Sequence, residues 1–242
     1  MEVGTFISNF RKAFGETAEL PVLFWYSDTP VGDATEKING CLFKEFGTLR
    51  KGTPISLTLD IIGCIGGKLY TGFSEMNERI PNFVSLKERY KETPRMVLDF
   101  IDKLGISLLD KKYLNLAPIN KIDSFQDIIG IIFFATPDIL SGLTAWAFFD
   151  NNSEDAVTTK FGSGCSSIFA ETAGENAKNG RRTFLGFFDP SARRYVESDI
   201  LSFAIPMSRF KEMYDTMPQS CLFDTPAWSR VRDRINSMAQ TT

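Results

Sequence analysis

Ile128-Ile129-Gly130-Ile131-Ile132-Phe133-Phe134-Ala135-Thr136-Pro137 reads as a strongly apolar strand that runs directly into the start of a helix. Branched and aromatic side chains dominate the run, which suits a pleated, packed surface. Thr136 is placed to cap a helix and Pro137 to be its first residue, where a missing N–H is not needed. Leu140, Leu143, Ala147 and Phe148 carry the pattern onward. A strand feeding a capped helix is the signature of a mixed fold, and the rest of the chain is read outward from it.

The same order occurs earlier. Leu20 to Tyr26 is a branched and aromatic run, Thr29-Pro30 repeats the cap and proline, and the spacing predicts a helix to about Phe46 with Gly47 as its stop. Ile55 to Ile62 then alternates as a strand into Gly63-Cys64-Ile65-Gly66-Gly67, with a helix beginning near Gly66. In the later half, Ala156 to Phe161 reads as a strand into Gly162-Ser163-Gly164-Cys165-Ser166-Ser167, followed by a helix from Ser166 to Ala173. The matching order suggests an internal duplication, about 20–75 and 128–177. It would set the two cysteine loops in equivalent places, facing one shared cleft.

Other segments frame these. Phe6, Ile7, Phe10 and Phe14 make an opening amphipathic helix that docks on the body. Thr93-Pro94 starts a helix with Val97, Phe100, Ile101 and Leu104 on one face and Gly105 at its end. Strands are expected at Thr183 to Phe188 and Leu201 to Ile205, and helices at Ser208 to Met217 and Ala227 to Met238. The expectation is a mixed α/β (α+β) fold in a single domain, 1–242, because no linker or low-complexity tract divides it.

Composition removes more functions than it adds. The chain has no histidine, which excludes Ser-His-Asp and Cys-His nucleophiles and histidine metal sites. Net charge is −3 with dispersed Lys and Arg, so neither a nucleic-acid partner nor a membrane surface is expected; Arg181-Arg182 and Arg193-Arg194 read as solvated turns. Without a secretory start or a membrane-length apolar run, a soluble cytoplasmic protein with reduced thiols is expected.

The two loops are the place to look for chemistry, because glycine and serine cannot cover a cysteine locally. Exposed backbone N–H groups at helix starts favour an anion or a thiolate. Gly63, Cys64, Gly66, Gly67, Gly162, Ser163, Gly164, Cys165 and Ser166 are therefore the candidate ligand-binding residues. Cys64 and Cys165 are expected to be accessible, with pKa below the usual value of about 8.5. Cys41, beside Ile38 and Leu42, falls on the apolar face of a helix, and Cys221 lies in a structural turn. Gly63 to Lys68 lacks the spacing of a nucleotide-binding loop, no dinucleotide fingerprint follows a strand, and no Cys-x-x-Cys occurs. Glu171 and Glu175 share a helix face read as solvated, while Asp60, Asp138 and Asp189 read as capping residues.

The chain resembles an uncharacterised prokaryotic family, the domain of unknown function 169 family, over roughly residues 20–212. The resemblance rests on Pro21-Val22, the Cys41 segment, Gly63 to Gly67, Ile131 to Pro137, Gly162 to Cys165 and Ala204-Ile205-Pro206. It implies three matching cysteines, Cys41, Cys64 and Cys165, as metal ligands, and a fourth cysteine where this chain has Phe187-Phe188. No activity is implied. Three readings stand: a protein binding a small anionic molecule or cofactor at the two loops; a thiolate-bound metal or iron–sulfur protein lacking one ligand; and a noncatalytic scaffold with a large exposed apolar patch.

Overall fold

The computed structural model describes residues 1–32, 38–160 and 162–238. In chain order the elements are α1 (Val3–Phe14), β1 (Val22–Ser27), α2 (Phe46–Arg50), β2 (Ile55–Leu57), α3 (Ile65–Tyr70), α4 (Arg79–Asn82), α5 (Pro94–Leu104), β3 (Tyr113–Pro118) and β4 (Gly130–Ala135). There follow α6 (Pro137–Phe149), β5 (Val157–Thr158), α7 (Glu171–Ala177), β6 (Thr183–Gly186), α8 (Pro190–Arg193), β7 (Leu201–Pro206), α9 (Met207–Thr216) and α10 (Pro226–Met238). They form one mixed α/β domain around a seven-stranded sheet in the order β2-β3-β1-β4-β7-β6-β5. Every neighbouring pair is antiparallel except β5 with β6.

Successive side chains of a strand point to opposite faces, so a run apolar at every position needs cover on both. In β1 and β4, Leu23, Ile131 and Phe133 join one core while Val22, Phe24, Ile132 and Phe134 join the other. The first face is covered by long helices: Phe6, Phe10 and Phe14 of α1, Trp146 of α6, Phe210 of α9 and Trp228 of α10. Both tryptophans are satisfied, Trp146 Nε1 donating to the Met213 carbonyl at 2.8 Å and Trp228 Nε1 to the Ala13 carbonyl at 2.7 Å. The second face is covered by short pieces: Leu42, Phe43 and Phe46, α3, α5, and Ile168 and Phe169 of a π-helical turn over Ser166–Ala170.

The expected elements at α1, α5, α6, α9 and α10 form, and Gly105 ends α5 in the left-handed conformation at φ 60°. The expected helix from Pro30 does not. Thr29 and Val31 are held by side chains instead: Asn115 Nδ2 donates to the Thr29 carbonyl at 3.0 Å, and the Val31 N–H donates to Ser56 Oγ at 2.9 Å. Residues 33–37 of that expected helix lie outside the described residues, and Ile38 pairs with Ile62 in a parallel bridge. A 3-10 turn, Leu42–Glu45, leads into α2, and Gly47 lies within that helix rather than ending it.

Strand β3 is missing from the sequence reading because Asn115 interrupts its apolar pattern. That side chain is buried, its Oδ1 accepting from Ser56 Oγ at 2.7 Å and its Nδ2 donating to Ser27 Oγ at 2.8 Å. The duplicated unit is not seen. β2 pairs with β3 at one edge of the sheet, β5 lies at the opposite edge beside β6, and among the described residues no helix between β1 and β2 matches α6.

The charged pairs also differ from the solvated reading. Arg182 binds Glu175 at 2.6 Å, Arg181 binds Glu212 at 2.8 Å, and Arg193 donates to the carbonyls of Ile200 and Ser198. Glu171 and Glu175 are buried, not solvated. Burial pushes the Glu175 carboxyl up, but hydrogen bonds and charge from Arg182 outweigh it and the pKa falls. For Glu171 burial wins over Lys160, whose Nζ lies 3.4 Å away, and the pKa rises.

An acid with a raised folded pKa holds its proton more tightly folded than unfolded. It costs stability as pH climbs from the ordinary carboxylate range through the folded value, and the cost persists above. Glu171→Gln should therefore raise the melting temperature at pH 7, with the gain shrinking as pH falls to about 4, where the unfolded acid is itself half protonated. Thermal unfolding across that range checks it; a loss of stability at pH 7 would contradict it.

Candidate functional site

The first loop begins where the Ile38–Ile62 bridge lays two backbones side by side. A Cβ on Gly63 would collide with the Ile38 carbonyl oxygen and lie 3.2 Å from the Gly40 nitrogen, so only glycine permits this approach. Cys64, extended at φ −83° and ψ 126°, caps α3, its Sγ accepting from the Gly67 N–H at 3.4 Å. A Cβ on Gly67 would press against Ile62 and Leu42 at 3.0 and 3.1 Å, whereas one on Gly66 would make ordinary contact with Cys64 Sγ and the Tyr70 ring at 3.8 Å.

The second loop is built by similar close packing. A Cβ on Gly162 would enter the Phe100 ring, and one on Gly164 would lie 2.8 Å from Phe43. The Ser163 carbonyl accepts from the Ser166 N–H at 2.9 Å and the Ser166 hydroxyl at 2.7 Å, starting the helical turn. The Gly164 N–H donates to Asp189 Oδ2 at 3.3 Å. Asp189 also caps α8, accepting from the Ser191 N–H and hydroxyl at 2.9 Å each, as its sequence position suggested.

The two loops meet at one pocket of about 370 Å³. Cys64, Ile65 and Gly66 come from the first loop, Gly162 and Ser163 from the second. Tyr70, Val97 and Phe100 supply further wall, Asp189 and Ser191 a polar corner, and the segment from Arg79 to Lys91 the opposite side through Arg79, Ile80, Phe83, Val84, Glu88, Tyr90 and Lys91. Gly63, Gly67, Gly164, Cys165 and Ser166 do not line it. Sequence reasoning missed the Arg79 to Lys91 side, where charged residues interleave with the apolar ones, and treated the α5 face carrying Val97 and Phe100 as scaffold.

The thiols differ from the expectation. Cys165 is buried, not accessible, and burial raises its pKa well above the usual thiol value, with Cys41, Cys64 and Asp189 adding to the rise. Cys41 is half-buried at the start of the 3-10 turn rather than on a helix face, and its pKa is pushed up to about 11, mainly by burial. Cys64 is half-buried and reaches the pocket. Ser163 Oγ is buried at the pocket wall, and hydrogen bonding to Ser163 partly offsets the raised pKa of Tyr70 and Cys165.

Over residues 19–216 the sequence matches the family DUF169, uncharacterised ArCR, COG2043. The chain belongs to the DUF169 family. No curated protein and no solved structure matches it. In this DUF169 protein the stretch where the resemblance implies a fourth cysteine holds Phe187-Phe188, and Phe187 is a buried ring packed edge-on against Phe43 at 4.6 Å and Phe134 at 6.0 Å. Among the described residues, no three Cys, Asp or Glu side chains are arranged to hold a metal ion. Among the described residues no helix is long and apolar enough to cross a membrane.

Two measurements test this anatomy. Gly63→Ala should lose about 1–3 kcal/mol, since backbone on two sides must shift, whereas Gly66→Leu should keep the wild-type melting temperature. Equal losses would mean the loop is not packed as described. Alkylation of the native DUF169 protein at pH 8, read by peptide mass spectrometry, should label Cys64 first, Cys41 slowly, and Cys165 only after unfolding.

Proposed function

We propose that this protein binds a small molecule with an apolar body in the pocket between the two glycine-cysteine loops, an anionic group of that ligand lying at the rim beside Arg79. The observation that carries the reading is the convergence of both loops on one pocket of about 370 Å³ with a largely apolar wall. That size, and a few polar groups set among hydrophobic ones, is the common form of small-molecule sites. Ile65, Ile80, Phe83, Val84, Val97 and Phe100 supply the apolar surface, and Cys64, Ser163 and Ser191 the polar groups.

The placement of the anion follows from which donors are already used. The Gly67 N–H is taken by Cys64 and the Gly164 N–H by Asp189, so the helix starts that first suggested anion binding are engaged. Arg79 is exposed and lines the pocket, as do Lys91 and Glu88. A pocket of this form favours ligand binding over a scaffold role, which needs a broad apolar patch instead.

Two fluorescent probes test the reading: anilinonaphthalene sulfonate, apolar and anionic, and N-phenylnaphthylamine, apolar and neutral. Saturable binding of both is expected. Gly66→Leu, which adds a side chain at a residue lining the pocket, should weaken both at least tenfold. Arg79→Glu should weaken the sulfonate about fivefold and leave the amine unchanged, an exposed charge pair contributing about 1 kcal/mol. Absence of saturable binding, or indifference to Gly66→Leu, would overturn the pocket; equal effects of Arg79→Glu on both probes would overturn the anionic group.

A further inference from the structure

Cys41 and Cys64 belong to backbones that leave the same parallel bridge. Ile38 pairs with Ile62, the Ile38 N–H donates to the Ile61 carbonyl at 2.9 Å, and Gly63 is packed on the Ile38 carbonyl and the Gly40 nitrogen. The residue following Gly40 and the residue following Gly63 are the two cysteines. Each takes the same local position, the first residue before a helical turn in extended conformation: Cys41 at φ −70° and ψ 135°, Cys64 at φ −83° and ψ 126°. The Cys64 sulfur accepts the Gly67 N–H at 3.4 Å. The closeness of the two cysteines also appears electrostatically, since negative charge on Cys64 raises the Cys41 pKa. Both are half-buried and free, so neither is sealed from a small oxidant.

We infer that Cys64 and Cys41 are a peroxide-oxidised pair, Cys64 the residue attacked first and Cys41 the one that closes the disulfide. The inference does not depend on what the pocket binds. Cys64 lines the pocket and Cys41 does not, so a small oxidant entering there meets the Cys64 sulfur. In the first step the Cys64 thiolate attacks a peroxide oxygen, the O–O bond breaks, and the departing hydroxide takes up a proton as water. In the second, the Cys41 sulfur attacks the Cys64 sulfenic acid; the S–S bond forms, the S–O bond breaks, and a second water leaves with the Cys41 proton. Two thiols and one peroxide give one disulfide and two waters, the sulfurs losing two electrons and the peroxide gaining two. The third thiol nearby, Cys165, is buried and is left out of the pair.

The test is hydrogen peroxide treatment of the full chain, blocking of residual thiols, and non-reducing peptide mapping. The expected product is an intrachain Cys41–Cys64 disulfide, reversed by dithiothreitol, with Cys165 and Cys221 still reduced. Cys41→Ser should instead accumulate a dimedone-trapped sulfenic acid on Cys64, and Cys64→Ser should leave Cys41 unoxidised over the same time. The wild-type map stands even if a variant folds poorly. A wild-type chain that keeps all its thiols, links Cys64 to Cys165, or stops at sulfinic acid on Cys64 would overturn the inference, as would oxidation of Cys41 at an unchanged rate in Cys64→Ser.

Discussion

A sheet whose central strands are apolar on both sides must be covered twice, and the two covers here are built differently. β1 and β4 lie side by side at the middle of the sheet, and every residue of β4 is buried. On the face of Leu23, Ile131 and Phe133, helices of ten residues or more supply whole aromatic stripes, and the layer closes. On the face of Val22, Phe24, Ile132 and Phe134, only α5 is comparably long; the rest is a 3-10 turn, π-helical turns and helices of four to seven residues. Short elements cannot tile a surface without gaps. The pocket is where α3, α5, the Arg79 to Lys91 segment and the second cysteine loop fail to meet.

The glycines explain how those short pieces are brought close enough to leave a pocket rather than a channel. Gly63 lets one backbone touch another, Gly162 admits the Phe100 ring, and Gly164 admits Phe43. Three glycines read in sequence as candidate ligand-binding residues are thus packing contacts in the fold. Gly66 is the exception, because its missing side chain faces the pocket. One glycine of the first loop shapes the wall, and its neighbours hold that wall in place.

Sequence periodicity served well where one element decides its own structure. The apolar spacing of Phe6, Phe10 and Phe14, and the Thr-Pro starts before α5 and α6, reflect local constraints, and those helices form. It failed where a distant residue decides. Thr29-Pro30 has the same local form as Thr136-Pro137, yet Asn115 and Ser56 capture its backbone groups from β3 and β2. Those two polar residues are themselves buried, and Asn115 obscures the strand that carries it. The same limit applies at the site. The loops were legible as cysteine flanked by residues too small to cover it, but covering is not local: Cys165 is buried by residues remote in sequence, and Cys64 is left partly open.

The segment around Phe187 ties these observations together. Phe187 adopts φ 71°, a conformation that an aromatic residue takes only when its surroundings hold it there. Its ring packs against Phe43 and Phe134, Phe43 packs against Phe46 at 4.7 Å, and Phe43 also fills the space beside Gly164. Two residues on, Asp189 accepts from the Gly164 N–H and caps α8. The second cysteine loop is therefore held from both sides by one short stretch of chain, by rings on one side and a carboxylate on the other. Where the family resemblance implies a thiol, this chain places an aromatic side chain that performs the fastening by packing.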